Sequence, residues 1–178
     1  MPNTGLGLIH IYYGDGKGKT SAALGLAIRC AGNGYKVLIN RFLKNSNSCE
    51  LPILKNIPGI TVTGSEKDFG FFFAMSPDAK NEASNYYTNQ LKDAFKKAID
   101  EKFNVLILDE INVAVNLGLI DEALLLELIR NKPSNMELIM TGRDPSKAMI
   151  EIADYVSEIK NIKHPFEKGI TSRLGIEE

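Results

Sequence analysis

Leu8 to Tyr13 is an apolar run of β-branched and aromatic residues, and it passes without a spacer into Gly14-Asp15-Gly16-Lys17-Gly18-Lys19-Thr20. From Lys19 onward Ala22, Ala23, Leu26, Ala27 and Cys30 recur at helical spacing, and Gly32-Asn33-Gly34 supplies the residue types that end a helix. A strand, a glycine-rich turn and a helix in direct succession constrain the fold more than any other stretch of this chain. Such a turn sets a helix N-terminus against the carboxyl end of a strand, which is the context of a phosphate-binding loop. Glycines let backbone N–H groups turn inward and line an anion nest, and the helix end adds partial positive charge. Gly14, Asp15, Gly16, Lys17, Gly18, Lys19, Thr20 and Ser21 are therefore candidate phosphate-binding residues, with Lys19 reaching phosphate oxygens and Thr20 offering its hydroxyl to Mg²⁺. The usual spacing, G-x-x-x-x-G-K-S/T, would place glycine where this chain has Tyr13, so the loop is effectively shorter and a phosphate chain is expected to lie differently along it.

The remaining pattern alternates in the same way. Strand-like runs are expected over 35–43, 60–63, 105–108, 136–140 and 155–159, and helices over 77–102, 121–130 and 146–153. Val105-Leu106-Ile107-Leu108 is apolar at every position, which marks a strand buried on both faces, the habit of parallel sheets. Ser76 and Asp121 are expected to cap the helices that follow them. The expected architecture is α/β: a RecA-like P-loop fold, a mostly parallel central sheet flanked by helices, in one domain over 1–178.

The end of the buried strand carries Asp109 and Glu110. In parallel sheets ligands sit at the carboxyl ends of strands, so these carboxylates are expected beside the glycine-rich loop, where either could hold Mg²⁺. Thr141-Gly142-Arg143 ends the next strand, and the Arg143 guanidinium suits a polyphosphate. Arg41 and Lys44, ending the second strand, could add positive charge.

Composition excludes several classes. Lys+Arg is 21 against Asp+Glu 22, a net charge of -1, which argues against nucleic-acid binding driven by bulk charge. No stretch reaches the roughly 20 apolar residues of a membrane span, and no export signal is evident. Two cysteines, Cys30 and Cys49, make neither a disulfide framework nor a zinc site. The expected compartment is the cytoplasm. No Ser-His-Asp or Cys-His constellation is evident. His10 reads as structural, and His164 as a turn residue or part of a ligand site.

Taken together with Phe42-Leu43-Lys44, Gly70-Phe71-Phe72-Phe73, Leu108-Asp109-Glu110-Ile111-Asn112, Ala153-Asp154-Tyr155-Val156-Ser157-Glu158 and Lys163-His164-Pro165-Phe166-Glu167-Lys168-Gly169-Ile170, these motifs span nearly the whole chain. In that order they resemble the P-loop class of ATP:cob(I)alamin (corrinoid) adenosyltransferases. The resemblance implies transfer of the 5′-deoxyadenosyl group of ATP to cobalt(I) of a corrinoid such as cobalamin, with release of triphosphate. It implies ATP bound in reverse along the loop, Mg²⁺, a homodimer and an electron-donating flavoprotein reductase. It also implies that Phe71 and Phe73 contact the corrinoid and displace its lower axial ligand. Without the resemblance the phenylalanines would read as an apolar anchor, and the loop as that of a RecA-like ATPase, a small-molecule kinase or a nucleotide-dependent binding module.

Overall fold

A computed structural model describes residues 5–44, 47–64, 67, 69–70 and 72–177. The chain runs β1 (Ile9–Tyr13), α1 (Lys19–Gly32), β2 (Val37–Arg41), α2 (Leu51–Leu54), β3 (Ile60–Gly64), α3 (Pro77–Asp100), β4 (Val105–Asp109), α4 (Ile111–Asn116), α5 (Glu122–Arg130), β5 (Glu137–Gly142), α6 (Lys147–Ile152) and β6 (Tyr155–Glu158). Short 3-10 turns occupy Phe72–Ala74 and Pro165–Lys168.

The strands form one six-stranded sheet in the order β3-β2-β4-β5-β1-β6, and every neighbouring pair is parallel. The sheet is thus wholly rather than mostly parallel. β5 lies between β1, which leads into the glycine-rich loop, and β4, which ends in Asp109. That insertion is the RecA-like arrangement.

The two faces of the sheet explain the unbroken apolar runs. Alternate side chains on a strand point to opposite faces. Leu106 and Leu108 of β4 join Ile11, Leu38, Leu138 and Met140 in one cluster, packed against Leu91, Phe95 and Ala98 of α3 and Leu125 and Ile129 of α5. Val105 and Ile107 join Val37, Ile39 and Ile139 on the other face, under Ala23 and Ala27 of α1. Alanines at those α1 positions let the helix sit close to the sheet. The α3 stripe buries Ala83, Tyr87, Leu91, Ala94, Phe95 and Ala98 as its spacing predicts.

Capping follows the sequence as well. The Ser76 hydroxyl accepts from the Ala79 N–H, Asp121 from Ala123 and Ser146 from Met149; each such cap stabilises its helix by about 1 kcal/mol. α2 and α4 were not expected. α4 begins directly after Glu110, whose left-handed backbone (φ 64°) turns the chain out of β4 and opens the helix.

Because all strands run the same way, β1, β2, β4 and β5 deliver their last residues to one edge of the sheet. The candidate site is built there.

Candidate functional site

The glycine-rich loop is braced from behind. A Cβ on Gly14 would lie 2.4 Å from the Ile159 carbonyl oxygen, and one on Gly16 2.7 Å from the carbonyls of Ile159 and Lys160. The Gly16 N–H donates to the Ile159 oxygen at 2.8 Å, and Asp15 Oδ1 accepts from the Asn161 N–H. Only glycine fits where the segment after β6 presses so closely. Gly18 differs: its φ of 118° requires glycine, yet its Cβ direction faces open space. It precedes α1, whose N-terminus has no capping side chain and no acid in its first turn. Those N–H groups remain available to an anion. Lys19 is buried, its Nζ donating to the Gly16 carbonyl at 2.8 Å. Burial, and then the charge of Arg143, push its ammonium below the usual lysine range.

Beside the loop, Asp109 is 1% exposed. Its Oδ1 accepts from the Thr20 hydroxyl at 2.9 Å and the Thr141 hydroxyl at 2.7 Å. Its Oδ2 is paired with Lys44 Nζ at 2.6 Å, and the same ammonium donates to Thr20 Oγ1 at 2.8 Å. Thr141 Oγ1 also accepts from the Glu110 N–H at 2.9 Å. Gly142 lets α4 approach: a Cβ there would lie 2.8 Å from Asn112 Cβ. Asn116 of α4 then holds the carbonyls of Arg143 and Asp144. Burial, and next the Asp109 charge, raise the Glu110 carboxyl above its ordinary range.

Two cavities open along this edge. A cleft of about 960 Å³ is lined by Lys17, Gly18, Lys19, Thr20 and Ser21 of the loop, by Ser48, Cys49 and Glu50, by Glu110, and by His164 and Leu174–Glu177 of the tail. A second, mainly apolar cavity of about 270 Å³ is lined by Phe69, Gly70, Phe72, Phe73, Met75, Tyr87, Leu117 and Leu119. Leu43 and Lys44 line both. The larger cavity holds the glycine-rich loop with Lys17, Lys19 and Lys44, the smaller is walled mainly by aromatic and aliphatic side chains, and one short segment separates them.

A family profile described as "ATP:corrinoid adenosyltransferase BtuR/CobO/CobP" matches residues 5–177. The chain belongs to the ATP:corrinoid adenosyltransferase family. It is 31% identical to the corrinoid adenosyltransferase of Pseudomonas aeruginosa, over 96% of this chain and 83% of that protein. It is 30% identical to the corrinoid adenosyltransferase of a Sinorhizobium species, over 96% and 80%, and 28% identical to that of Escherichia coli K12, over 96% and 85%.

In this adenosyltransferase the fold brings Lys19, Thr20 and Asp109 together, with Glu110 at the cleft wall. The Arg143 side chain is exposed, close enough to Lys19, Asp15 and Glu110 to act on their charges. Arg41 bonds Ser48 and lies 3.6 Å from Glu50, both of which line the cleft. Phe73 is 88% exposed at the apolar cavity; Phe71 lies outside the described residues. His10 bonds Glu137 at 2.7 Å. His164 accepts from the Phe166 N–H, as a turn residue would, and lines the cleft beside the glycine-rich loop rather than the aromatic cavity.

Sequence reasoning missed the tail. Glu177 accepts from Arg173 and from Lys17 of the loop, and these hydrogen bonds, Arg173's first, hold its carboxyl well below the ordinary range. No periodicity marks 171–177 as part of a site. It also missed the Thr141 hydroxyl and gave Lys44 only a general charge role.

Proposed function

We propose that this enzyme adenosylates a corrinoid in the junction between the two cavities: ATP in the cleft beside the glycine-rich loop, the corrinoid against the aromatic one. The observation that carries this placement is the shared wall of Leu43 and Lys44, which puts a phosphate-binding loop and an apolar pocket side by side.

The corrinoid, reduced to cobalt(I), is the substrate nucleophile. It forms a cobalt–carbon bond to C5′ of ATP, the C5′–O bond breaks, and triphosphate departs with the electron pair. The chain need supply no nucleophile, because the cobalt is one. Its residues position and neutralise. The N–H groups of the loop and α1 cradle phosphate oxygens. Lys19 exchanges its Gly16 carbonyl for an anionic oxygen. Lys17 of the cleft lining and the exposed Arg143 would add positive charge. The shortened loop supports a nucleotide lying in reverse, its ribose toward the aromatic cavity. Phe71 and Phe73 would then meet the corrinoid face and displace its lower ligand.

The oxygens of Thr20 and Asp109 suit a hard cation, and the Lys44 ammonium lying against both supports that reading. Among the described residues no three His, Cys, Asp or Glu cluster as a metal site, so phosphate oxygens would complete the coordination, as Mg²⁺ usually requires. Held by Thr20 and Asp109, Mg²⁺ would supply charge neutralisation to the leaving triphosphate. A homodimer in the cytoplasm, served by a flavoprotein reductase, is the setting we propose; none of the described helices is long and apolar enough to cross a membrane.

The deciding assay supplies MgATP and chemically reduced corrinoid. Intact triphosphate together with a light-sensitive corrinoid product is expected. ADP and orthophosphate formed without corrinoid would overturn the reading in favour of a phosphoanhydride-cleaving enzyme.

A further inference from the structure

The ammonium of Lys44 occupies a specific place: 2.8 Å from the Thr20 hydroxyl oxygen and 2.6 Å from Asp109 Oδ2. These are the two side chains assigned above to the divalent ion. Asp109 is almost fully enclosed, whereas the Lys44 side chain is 25% exposed at the rim of both cavities. A buried carboxylate needs a positive partner, and Lys44 is its ion-pair partner among the described residues. The backbone is bent to deliver it. Leu43, which precedes Lys44, has φ 55°, a left-handed conformation that a leucine adopts only when its surroundings impose it.

We propose that Lys44 is an internal cation for the Thr20–Asp109 pair. In the nucleotide-free enzyme its ammonium keeps the two side chains assembled and bars free divalent ions. When a divalent ion arrives with the nucleotide, Lys44 yields Asp109 and is left at the boundary between the cleft and the aromatic cavity. The seat is thereby selective for metal already complexed to a polyphosphate, because only the added phosphate charge compensates for displacing the lysine. This inference rests on Thr20 and Asp109 being the metal seat.

The test uses the whole nucleotide-free protein and reads binding and melting rather than turnover. Free Mn²⁺ is titrated and followed by its electron paramagnetic resonance signal, and melting temperatures are taken in EDTA and in millimolar Mg²⁺. Wild type is expected to bind Mn²⁺ weakly and to melt alike in both media. Lys44→Met is expected to bind Mn²⁺ at least tenfold more tightly. It should also melt roughly 5 °C or more lower in EDTA, because a buried charge has lost its partner, and recover in Mg²⁺. Lys44→Gln serves where the methionine variant is not recovered folded, and Asp109→Asn added to either should remove the Mg²⁺ response. Equal Mn²⁺ affinity in wild type and both Lys44 variants overturns the proposal. A parallel titration of the ATP complex separates the two levels. If Asp109→Asn leaves its Mn²⁺ affinity unchanged, the metal seat itself is wrong. If Asp109→Asn weakens it while the Lys44 variants gain nothing, only the internal-cation role falls.

Discussion

Thr141 and Asp109 lie at the ends of adjacent parallel strands, and the threonine hydroxyl donates to the carboxylate at 2.7 Å. The hydroxyl oxygen in turn accepts from the Glu110 N–H, so one side chain fixes both acids. Thr141→Val keeps the shape and removes both bonds. Losing a hydrogen bond to a buried charge costs about 2 kcal/mol. Urea denaturation should show that loss, and the KM for MgATP should rise, whereas Thr141→Ser should restore both.

Lys19 contributes little to folding in the free enzyme, where its ammonium donates to the neutral Gly16 carbonyl and the nearby charges of Arg143 and Glu110 oppose each other. Lys19→Ala should therefore melt within a few degrees of wild type. Its affinity for ATP, measured by calorimetry, should fall roughly 100-fold, the equivalent of about 3 kcal/mol for a lost charge-assisted contact.

Phe73 exposes most of its ring at the apolar cavity, so truncation removes no core packing. Phe73→Ala should change stability by less than about 0.5 kcal/mol. Adenosylation begun from cobalt(II) with a reductant should drop at least tenfold, while adenosylation begun from cobalt(I) stays near wild type. Equal losses from both starting states would remove this residue from the ligand-displacing role.

Cys49 is exposed and lines the cleft, whereas Cys30 is half-buried and its thiol is pushed up by burial and then by the Glu137 charge. Thiolate is the reactive form. A disulfide reagent should modify Cys49 first and Cys30 slowly, and MgATP should slow Cys49 several-fold.

The tail contact has a defined pH sign. Arg173, then Lys17, hold the Glu177 carboxyl far below its ordinary value of 4.5. A carboxylate held low contributes above its ordinary range and loses that contribution only as the pH falls through its depressed value. Tail docking should thus be constant from about pH 6 to 9. Glu177→Gln should speed trypsin cleavage after Arg173 several-fold, and by the same ratio at each pH.

The strand–loop–helix opening and the fully apolar β4 were legible because each follows a local rule: glycine placement in the first, burial on both faces in the second. Their meeting was legible too, since parallel strands share one carboxyl edge. α4 was not. Ile111–Asn116 is only six residues, too short for helical periodicity to show, and its start depends on the left-handed turn at Glu110. α2 is four residues long with a proline near its start, too short for periodicity to show. The place of Lys44 depends on the left-handed backbone of Leu43, which no residue type announces. Arg41 and Lys44 looked alike as cations at the end of one strand, yet Arg41, still within β2, meets Ser48 and Glu50, whereas Lys44, past the bend, meets Asp109.

Asp15 and its brace at Asn161 are 146 positions apart in the chain, and the carbonyls that crowd Gly14 and Gly16 belong to the same late segment. During synthesis the amino-terminal half emerges first, but it emerges without the support its loop requires. A nascent or prematurely ended polypeptide lacking the last strand therefore has the motif and not the shape, and competence to capture nucleotide is postponed until translation has passed that strand.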